Sequence, residues 1–350
     1  MRKHLRRAAL SALKGCGAFH LVSDSAWRRE RLLILCFHGV ALEDEHQWRP
    51  HLYISAQQLE QRLEILRNSK CNVLPLAEAL ERLSRHDLPP RSVVLTFDDG
   101  QYDFYRQAYP ALKRSGVPVT VYLTTYYSEL QRPIFNLICS YLLWKARHAG
   151  PVDLQEFGCP NPVALHSQEI REAAATEIVQ WTERQDLHGQ QKDQIAAALA
   201  QRLGIDYDAL RTRRILHLLN PEEVKELAAD GVDFQLHTHR HRTPMNEELF
   251  RQEIRENRRR LGSMIGGGQT HFCYPSGAYR PEFLSWLAAE GIVSAVTCDT
   301  GFATVENNPL LLPRLVDTSG RTDLEFESWV NGIGHFLSRR RRARLAYVAD

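Results

Sequence analysis

Two short stretches carry side chains that could act together on one bond. In Thr96-Phe97-Asp98-Asp99-Gly100, two carboxylates stand side by side before a glycine. In His237-Thr238-His239-Arg240-His241, two imidazoles are separated by a short polar turn. Adjacent aspartates repel, and both stay ionised near neutral pH only where a cation or hydrogen-bond donors compensate. A metal ion would do that. Neutral imidazole suits zinc and similar borderline ions, and a tight turn can aim His237 and His241 at one ion while His239 points away. One Asp with two His leaves positions open for water and substrate, which is the design of a catalytic centre. Each stretch alone has an ordinary alternative: a solvated Asp-Asp-Gly turn for the first, a histidine-rich surface loop for the second.

The elements around these stretches must deliver them to one place. The run Val93-Val94-Leu95 before the aspartates reads as a buried parallel strand, and 232–237 reads as an alternating strand that ends at His237. Both motifs therefore sit at strand C-terminal ends, where α/β folds keep their sites. Further strands are expected at 31–40, ending at His38, and at 117–123, 270–274, 292–297 and 310–316. Helices are expected between them. Ser55 caps one that begins near Gln57, and others cover 76–83, 102–115 and 281–291. Pro110 should kink or split the helix at 102–115, and Gly116 should stop it. The helix at 246–264 should turn Leu249, Phe250, Ile254 and Leu261 inward. Strand, helix, strand at these spacings is a parallel crossover unit. Residues 128–220 break the pattern with helices at 134–147, 169–185 and 190–203 and no strand, and read as a helical insertion or lid. Asn220, Pro221 and Glu223 then restart the main fold as N-cap, first helical residue and capping box.

The chain has 350 residues, 43% hydrophobic and 25% charged, with formal net charge +2, values of a globular protein of one large or two ordinary domains. Seven scattered cysteines without a Cys-x-x-Cys pair suggest reduced thiols, and neither a disulfide framework nor a cysteine zinc site. No apolar run is long enough to span a bilayer, and Lys14-Gly15 interrupts what would be a secretory signal, so a cytoplasmic location is expected. The basic segment 1–30 opens with a weakly amphipathic helix. Its Leu5, Ala9, Ala12 and Leu13 share a side, which suits either docking on the domain or peripheral contact with the inner face of an anionic membrane. The segment 331–350 is a second basic end, with Arg339-Arg340-Arg341-Arg342. No nucleic-acid motif accompanies these arginines, and a net charge of +2 argues against such a partner.

Taken together, the two motifs resemble those of the polysaccharide deacetylase family, carbohydrate esterase family 4. Its Thr-Phe-Asp-Asp-Gly stands intact at Thr96–Gly100, and its His-Ser/Thr-x-x-His at His237–His241. The resemblance covers roughly residues 30–125 and 220–317. It implies a distorted (β/α) barrel of about seven strands, here divided by the insertion into 31–127 and 221–330. It also implies a divalent ion, zinc by preference, held by Asp99, His237 and His241, with Asp98 as general base beside it. A metal-lowered water pKa and a neighbouring carboxylate make sense for attack on an amide. Three features depart from the family pattern. The stretch Phe272-Cys273-Tyr274-Pro275-Ser276-Gly277 lacks the arginine of the third motif, which leaves the oxyanion donor at Tyr274 or a neighbour. The tryptophan-bearing fourth motif is not recognisable. The late Leu-x-His that supplies the general acid is absent. A branch of the family has a permuted order with the acid-bearing strand first, and Leu35-Cys36-Phe37-His38 resembles it, which makes His38 the acid. Arg314 and Asp317, after the last strand, are candidates to orient Asp98 or His38.

The function implied is a metal-dependent N-deacetylase acting on an acetamido sugar in a polysaccharide, an oligosaccharide or a lipid-linked precursor. Alternatives are a related amide hydrolase, such as a deformylase of a lipid-linked amino sugar, and a non-catalytic carbohydrate-binding relative. The intact Asp98 speaks against the last, since a binding site needs no general base.

Overall fold

The computed structural model describes residues 2–337, so the arginine run of the tail lies outside the described residues. The chain forms two compact units: Met1–Thr125 with Pro221–Asp350, and Tyr126–Asn220.

The first unit is a barrel. Its strands are β1 (Leu33–Phe37), β2 (Ser92–Asp99), β3 (Thr120–Leu123), β4 (Asp233–Leu236), β5 (His271–Cys273), β6 (Ser294–Thr300) and β7 (Leu312–Val316). Each is parallel to the next, and β1 pairs with both β2 and β7, which closes the ring. The β1–β2 register runs from Leu33 opposite Val93 to Phe37 opposite Phe97. Strands covered on both faces must be apolar throughout rather than alternating. β1 and β3 are accordingly buried at every position, and Ile34, Val94, Tyr122, Cys273, Val296 and Leu312 meet in one core cluster. Each fully buried aliphatic side chain contributes about 1.5–3 kcal/mol. Asn72–Val73 adds a short strand beside the start of β2, and Gly39–Val40 pairs with Tyr53–Ile54 in a separate small sheet. β7 departs from regularity where it matters. Pro313 cannot donate to the ladder, the β6–β7 register shifts between Leu312 and Arg314, and Arg314 and Leu315 are buried in succession.

The expected helices form, with informative differences. Ser55 Oγ accepts from the Gln58 amide at 3.1 Å at the head of helix Ala56–Asn68. Pro110 does split its helix: a π-turn, Phe104–Ala108, precedes the α-helical Tyr109–Ser115, because proline offers no amide to the turn before it. Gly116 ends it at φ 63. Helix Glu247–Ile265 buries Phe250, Ile254 and Leu261 but leaves Leu249 48% exposed; the inward stripe instead includes Glu253 and Asn257. The first helix, Arg2–Gly15, docks through Leu10, which is buried with Phe19 and Ile333. Leu13 packs partly against that cluster, while Leu5, Ala9 and Ala12 face solvent.

The second unit is helical. Helix Phe135–Lys145 is its centre, buried nearly all round from Phe135 to Trp144. Helices Gln168–Arg184, Gly189–Arg202 and Tyr207–Thr212 surround this core, the first capped by Ser167 and the last by Asp206. The Ile134 amide donates to the Leu216 carbonyl at 2.9 Å and Ser128 Oγ to the Leu219 carbonyl at 2.6 Å, tying the two ends of the unit together.

Candidate active site

The rim at the C-terminal ends of β1, β2, β4 and β7 gathers the chemistry. Asp98 is the penultimate residue of β2 and only 2% exposed. Arg314 of β7, fully buried, meets it in a bidentate pair, Nη1 to Oδ1 and Nη2 to Oδ2, both at 2.8 Å. Arg314 is itself aimed by Nε, which donates to the Thr297 carbonyl at 2.9 Å. Two thiols complete the surroundings: Cys36 Sγ at 3.4 Å and Cys273 Sγ at 3.3 Å both donate to Asp98 Oδ2. Burial alone would raise the Asp98 carboxyl, but the guanidinium outweighs it and holds the group well below the usual carboxylate range. The same ion pair raises Arg314 despite its burial.

Asp99 faces differently. It ends β2 in the left-handed region at φ 70, a conformation that costs energy for a non-glycine residue and is typical of functional sites. Gly100 follows at φ 75, where a Cβ would lie 2.1 Å from Leu123 Cδ1, so any other residue would be strained there and would have to displace the Leu123 side chain. Asp99 Oδ1 lies 3.2 Å from His237 Nε2 and 3.2 Å from His241 Nε2. His237 Nδ1 donates to the Cys273 carbonyl at 2.8 Å, which leaves the neutral ring's lone pair on Nε2, toward Asp99. Thr238 and His241 both have positive φ, 61 and 55, and this tight turn carries the second imidazole beside the first, ring centres 4.9 Å apart. Asp99 draws the exposed His241 imidazole upward, and the charge of His241 above all holds the Asp99 carboxyl far down against its own burial. These three side chains present one carboxylate oxygen and two imidazole nitrogens within 4.8 Å of one another. That donor set and its spread fit a divalent ion.

His38 follows β1 on the same rim. Its Nε2 is 3.8 Å from Asp98 Oδ2, and its side chain is 16% exposed. Burial lowers its pKa below the ordinary histidine value even though Asp98 and Asp99 pull the other way, so the imidazole rests mainly neutral near pH 7. The remaining candidates divide. Arg314 contacts Asp98 as described. Asp317 is turned to other work: its carboxylate meets Arg62 Nε at 2.7 Å and Arg321 Nε at 3.0 Å, anchoring the segment after β7 to helix Ala56–Asn68 rather than orienting Asp98 or His38. Tyr274 is corrected as a donor. Its amide donates to the Val296 carbonyl at 3.2 Å and its hydroxyl to the Leu310 carbonyl at 3.1 Å, so both are spent on the scaffold. Of its neighbours, Pro275 has no amide proton, and Ser276 sits at φ 57.

Asn257 and Glu253 escaped the sequence reading. Asn257 Oδ1 accepts the His237 amide at 2.9 Å, while its Nδ2 donates to the Leu123 carbonyl and to Thr125 Oγ1. Glu253, 1% exposed, accepts from the Arg240 amide at 2.7 Å and from Arg242 Nε at 2.8 Å, fixing the turn between the two histidines. His239 turns away and meets Thr125 Oγ1 through Nδ1 at 2.9 Å. The available signal was the polar pair at core-stripe positions of an otherwise apolar helix face.

Residues 85–295 match the family model described as polysaccharide deacetylase. The chain belongs to that family. Over 104 residues it is 29% identical to YxkH of Bacillus subtilis (strain 168), covering 28% of this chain and 35% of that protein. Over 72 residues it is 33% identical to the poly-beta-1,6-N-acetyl-D-glucosamine N-deacetylase of Staphylococcus aureus (strain MSSA476), covering 21% of this chain and 25% of that one. The chain thus spans about a third or less of the length of these relatives. Among solved structures it resembles the Streptococcus pyogenes deacetylase PplD, with TM-score 0.55 at 19% identity, covering 84% of this chain and 95% of that one. IcaB from Ammonifex degensii gives TM-score 0.53 at 19% identity, covering 86% and 97%. These two likenesses concern the fold, and the seven-stranded barrel of the family is the one described above.

Proposed function

We propose that this chain is a metal-dependent N-deacetylase of a glycan built from N-acetylated amino sugars. The carrying observation is the division of labour between neighbouring carboxylates: Asp98 is paired with Arg314, while Asp99 faces His237 and His241. Asp99, His237 and His241 would hold a divalent ion, with zinc the simplest fit to two imidazoles and a carboxylate. Such an ion supplies Lewis acidity and makes water a nucleophile near neutral pH.

The chain's own residues account for the proton transfers. Asp98, kept ionised by Arg314, accepts the proton of the attacking water. His38, whose Nε2 is 3.8 Å from Asp98 Oδ2, returns a proton to the departing nitrogen, which is a poor leaving group without one. Because His38 rests neutral, it gains that proton in the cycle from Asp98, which took it from the water and is ionised again once it has passed it on; the charges of Asp98 and Asp99 then favour the imidazolium. The oxyanion donor falls to a backbone amide beside Tyr274.

The glycan is a polymer or oligosaccharide, or its lipid-linked precursor. Helix Arg2–Gly15 supports peripheral contact with an anionic membrane on its inner face, since Leu5 is 64% exposed beside basic residues. Among the described residues, no helix is long and apolar enough to cross a membrane. Salt-sensitive sedimentation with phosphatidylserine vesicles checks the contact.

The deciding experiment incubates zinc-loaded protein with β-1,6-linked N-acetylglucosamine oligomers and with chitin oligomers and measures free amine and acetate. Zinc is also counted in Asp99→Ala, His237→Ala and His241→Ala. Release of acetate by the wild type, with zinc lost from each variant, is expected. Full zinc content in all three variants, or no acetate from either series, overturns the reading.

A further inference from the structure

The residues immediately after His38 are held from two sides, by a short parallel strand and by a buried side chain. Gly39–Val40 runs parallel to Tyr53–Ile54, with the Gly39 amide donating to the Leu52 carbonyl and the Ala41 amide to the Ile54 carbonyl. Amides alternate in direction along a strand, so the Val40 amide points away from that partner. It donates to Asp103 Oδ1 at 3.0 Å. Asp103 is 4% exposed and lies just beyond the Asp99-Gly100 turn, at the head of the π-turn that Pro110 imposes.

The fit around Gly39 is as tight as the hydrogen bond is specific. A Cβ there would lie 2.1 Å from Tyr53 Cε1 and 2.9 Å from Asp103 Oδ2. The Tyr53 ring that closes on Gly39 is in turn fixed by its hydroxyl, which donates to Gln101 Oε1 at 2.6 Å. Gln101 and Asp103 both belong to the segment that leaves Asp99; Asp103 holds the segment that leaves His38 directly, and Gln101 holds it through the Tyr53 ring. The strand pairing of β1 with β2 ends at Phe37 opposite Phe97, so the ladder does not itself fix His38 relative to Asp98.

We propose that Asp103 is a positioning residue that sets the His38 imidazole against Asp98, through the Val40 amide and the close contact at Gly39, with Gln101 and Tyr53 as its second arm. This rests on His38 being the proton donor to the leaving nitrogen. A group displaced by about 1 Å can lose on the order of 10²-fold in rate. The Asp103 side chain is better suited than a solvent-exposed loop contact because it is buried, and a buried backbone amide left unpaired is costly.

The test compares two substrates that differ in their need for an acid. Amide cleavage of an N-acetylglucosamine oligomer needs the leaving nitrogen protonated; p-nitrophenyl acetate expels a stable phenolate and does not. Asp103→Ala should lower kcat on the amide by about 10–100-fold. KM, zinc content and hydrolysis of the aryl ester should all stay within about twofold of wild type, on the same positioning argument. Asp103→Asn, whose Oδ1 still accepts from Val40, should recover most of the rate. Tyr53→Phe should give a smaller loss of the same kind, and it serves if Asp103→Ala fails to fold. In a His38→Ala background neither change should slow the amide reaction further, since coupled residues are not additive. Equal losses on both substrates, or additive losses with His38→Ala, would reduce Asp103 to a structural role. If His38→Ala itself leaves amide turnover intact, the acid assignment fails. If His38→Ala is slow while Asp103→Ala is not, only the clamp fails.

Discussion

At the scale of single residues, two neighbours of the same type are driven to opposite tasks by what they touch. Asp98 lies within β2 and takes a guanidinium from across the barrel; Asp99, one residue on, turns into the left-handed region and takes two imidazoles. Asp98 keeps the direction its strand gives it, while the left-handed turn at Asp99 re-aims the next carboxylate. Replacing Asp98 by Asn keeps the shape and leaves the Asp99, His237 and His241 donors untouched. Zinc should remain bound while turnover falls by about 10²–10⁴-fold, because the proton of the attacking water has no acceptor. Steady-state kinetics with metal analysis on the same sample checks this, and near-normal turnover would place the base elsewhere. His38→Ala should also slow the amide reaction, because the departing nitrogen loses its proton donor. The motif residues were legible in the sequence because each pair lies within a few positions at a strand end, where local pattern suffices. Arg314 could be named from sequence only as a residue near the last strand. Its contact with Asp98 depends on barrel closure and on the irregularity at Pro313, which no local pattern encodes.

At the scale of elements, the Asp98–Arg314 pair joins β2 to β7 across the core, and its stability balance can be measured. Removing one partner of a buried pair typically costs about 3–5 kcal/mol, because the other charge is left without compensation. Arg314→Met should therefore lower the urea midpoint sharply. Adding Asp98→Asn to it should restore much of that stability but none of the activity, which would show that the pair is kept for chemistry. Helix Glu247–Ile265 shows where amphipathic patterning misleads. Leu249 looked inward and is exposed, while Glu253 and Asn257 occupy the inner stripe because the histidine turn needs their hydrogen bonds. A similar burial argument gives a pH dependence in the helical unit. His217 is 5% exposed, and burial pushes its pKa from 6.5 to about 4, with its Nδ1 proton given to the Ile215 carbonyl at 3.1 Å. The unfolded chain takes up a proton below 6.5 and the folded one does not until about 4. Stability is therefore complete above that window and falls through it by about 1.4 kcal/mol per pH unit, roughly 3 kcal/mol in all. Hydrogen exchange in residues 126–220 at pH 7 and pH 5 should show the loss, and His217→Gln should flatten it.

At the scale of the whole molecule, the order of elements along the chain has a consequence for how it is made. Barrel closure pairs β1 with β7, and the carboxylate of Asp98 waits for a guanidinium 216 residues later. At common synthesis rates that interval lasts roughly 10–40 s, during which β2 exists without its partner. The helical unit Tyr126–Asn220 emerges inside this gap, is contiguous, and has its own buried centre in helix Phe135–Lys145. It can therefore be complete before the barrel that surrounds it in sequence. Nascent chains arrested with residue 230 outside the ribosome should resist protease across 126–220 while 31–125 is cut, and both regions should be protected only once Val316 has emerged. Protection of 31–125 in the shorter chain would mean that the open half-barrel tolerates an unpaired Asp98. The interval also leaves the Cys36 thiol, packed against Asp98 in the finished fold, open to oxidants, so oxidant present during synthesis should lower the yield of folded protein.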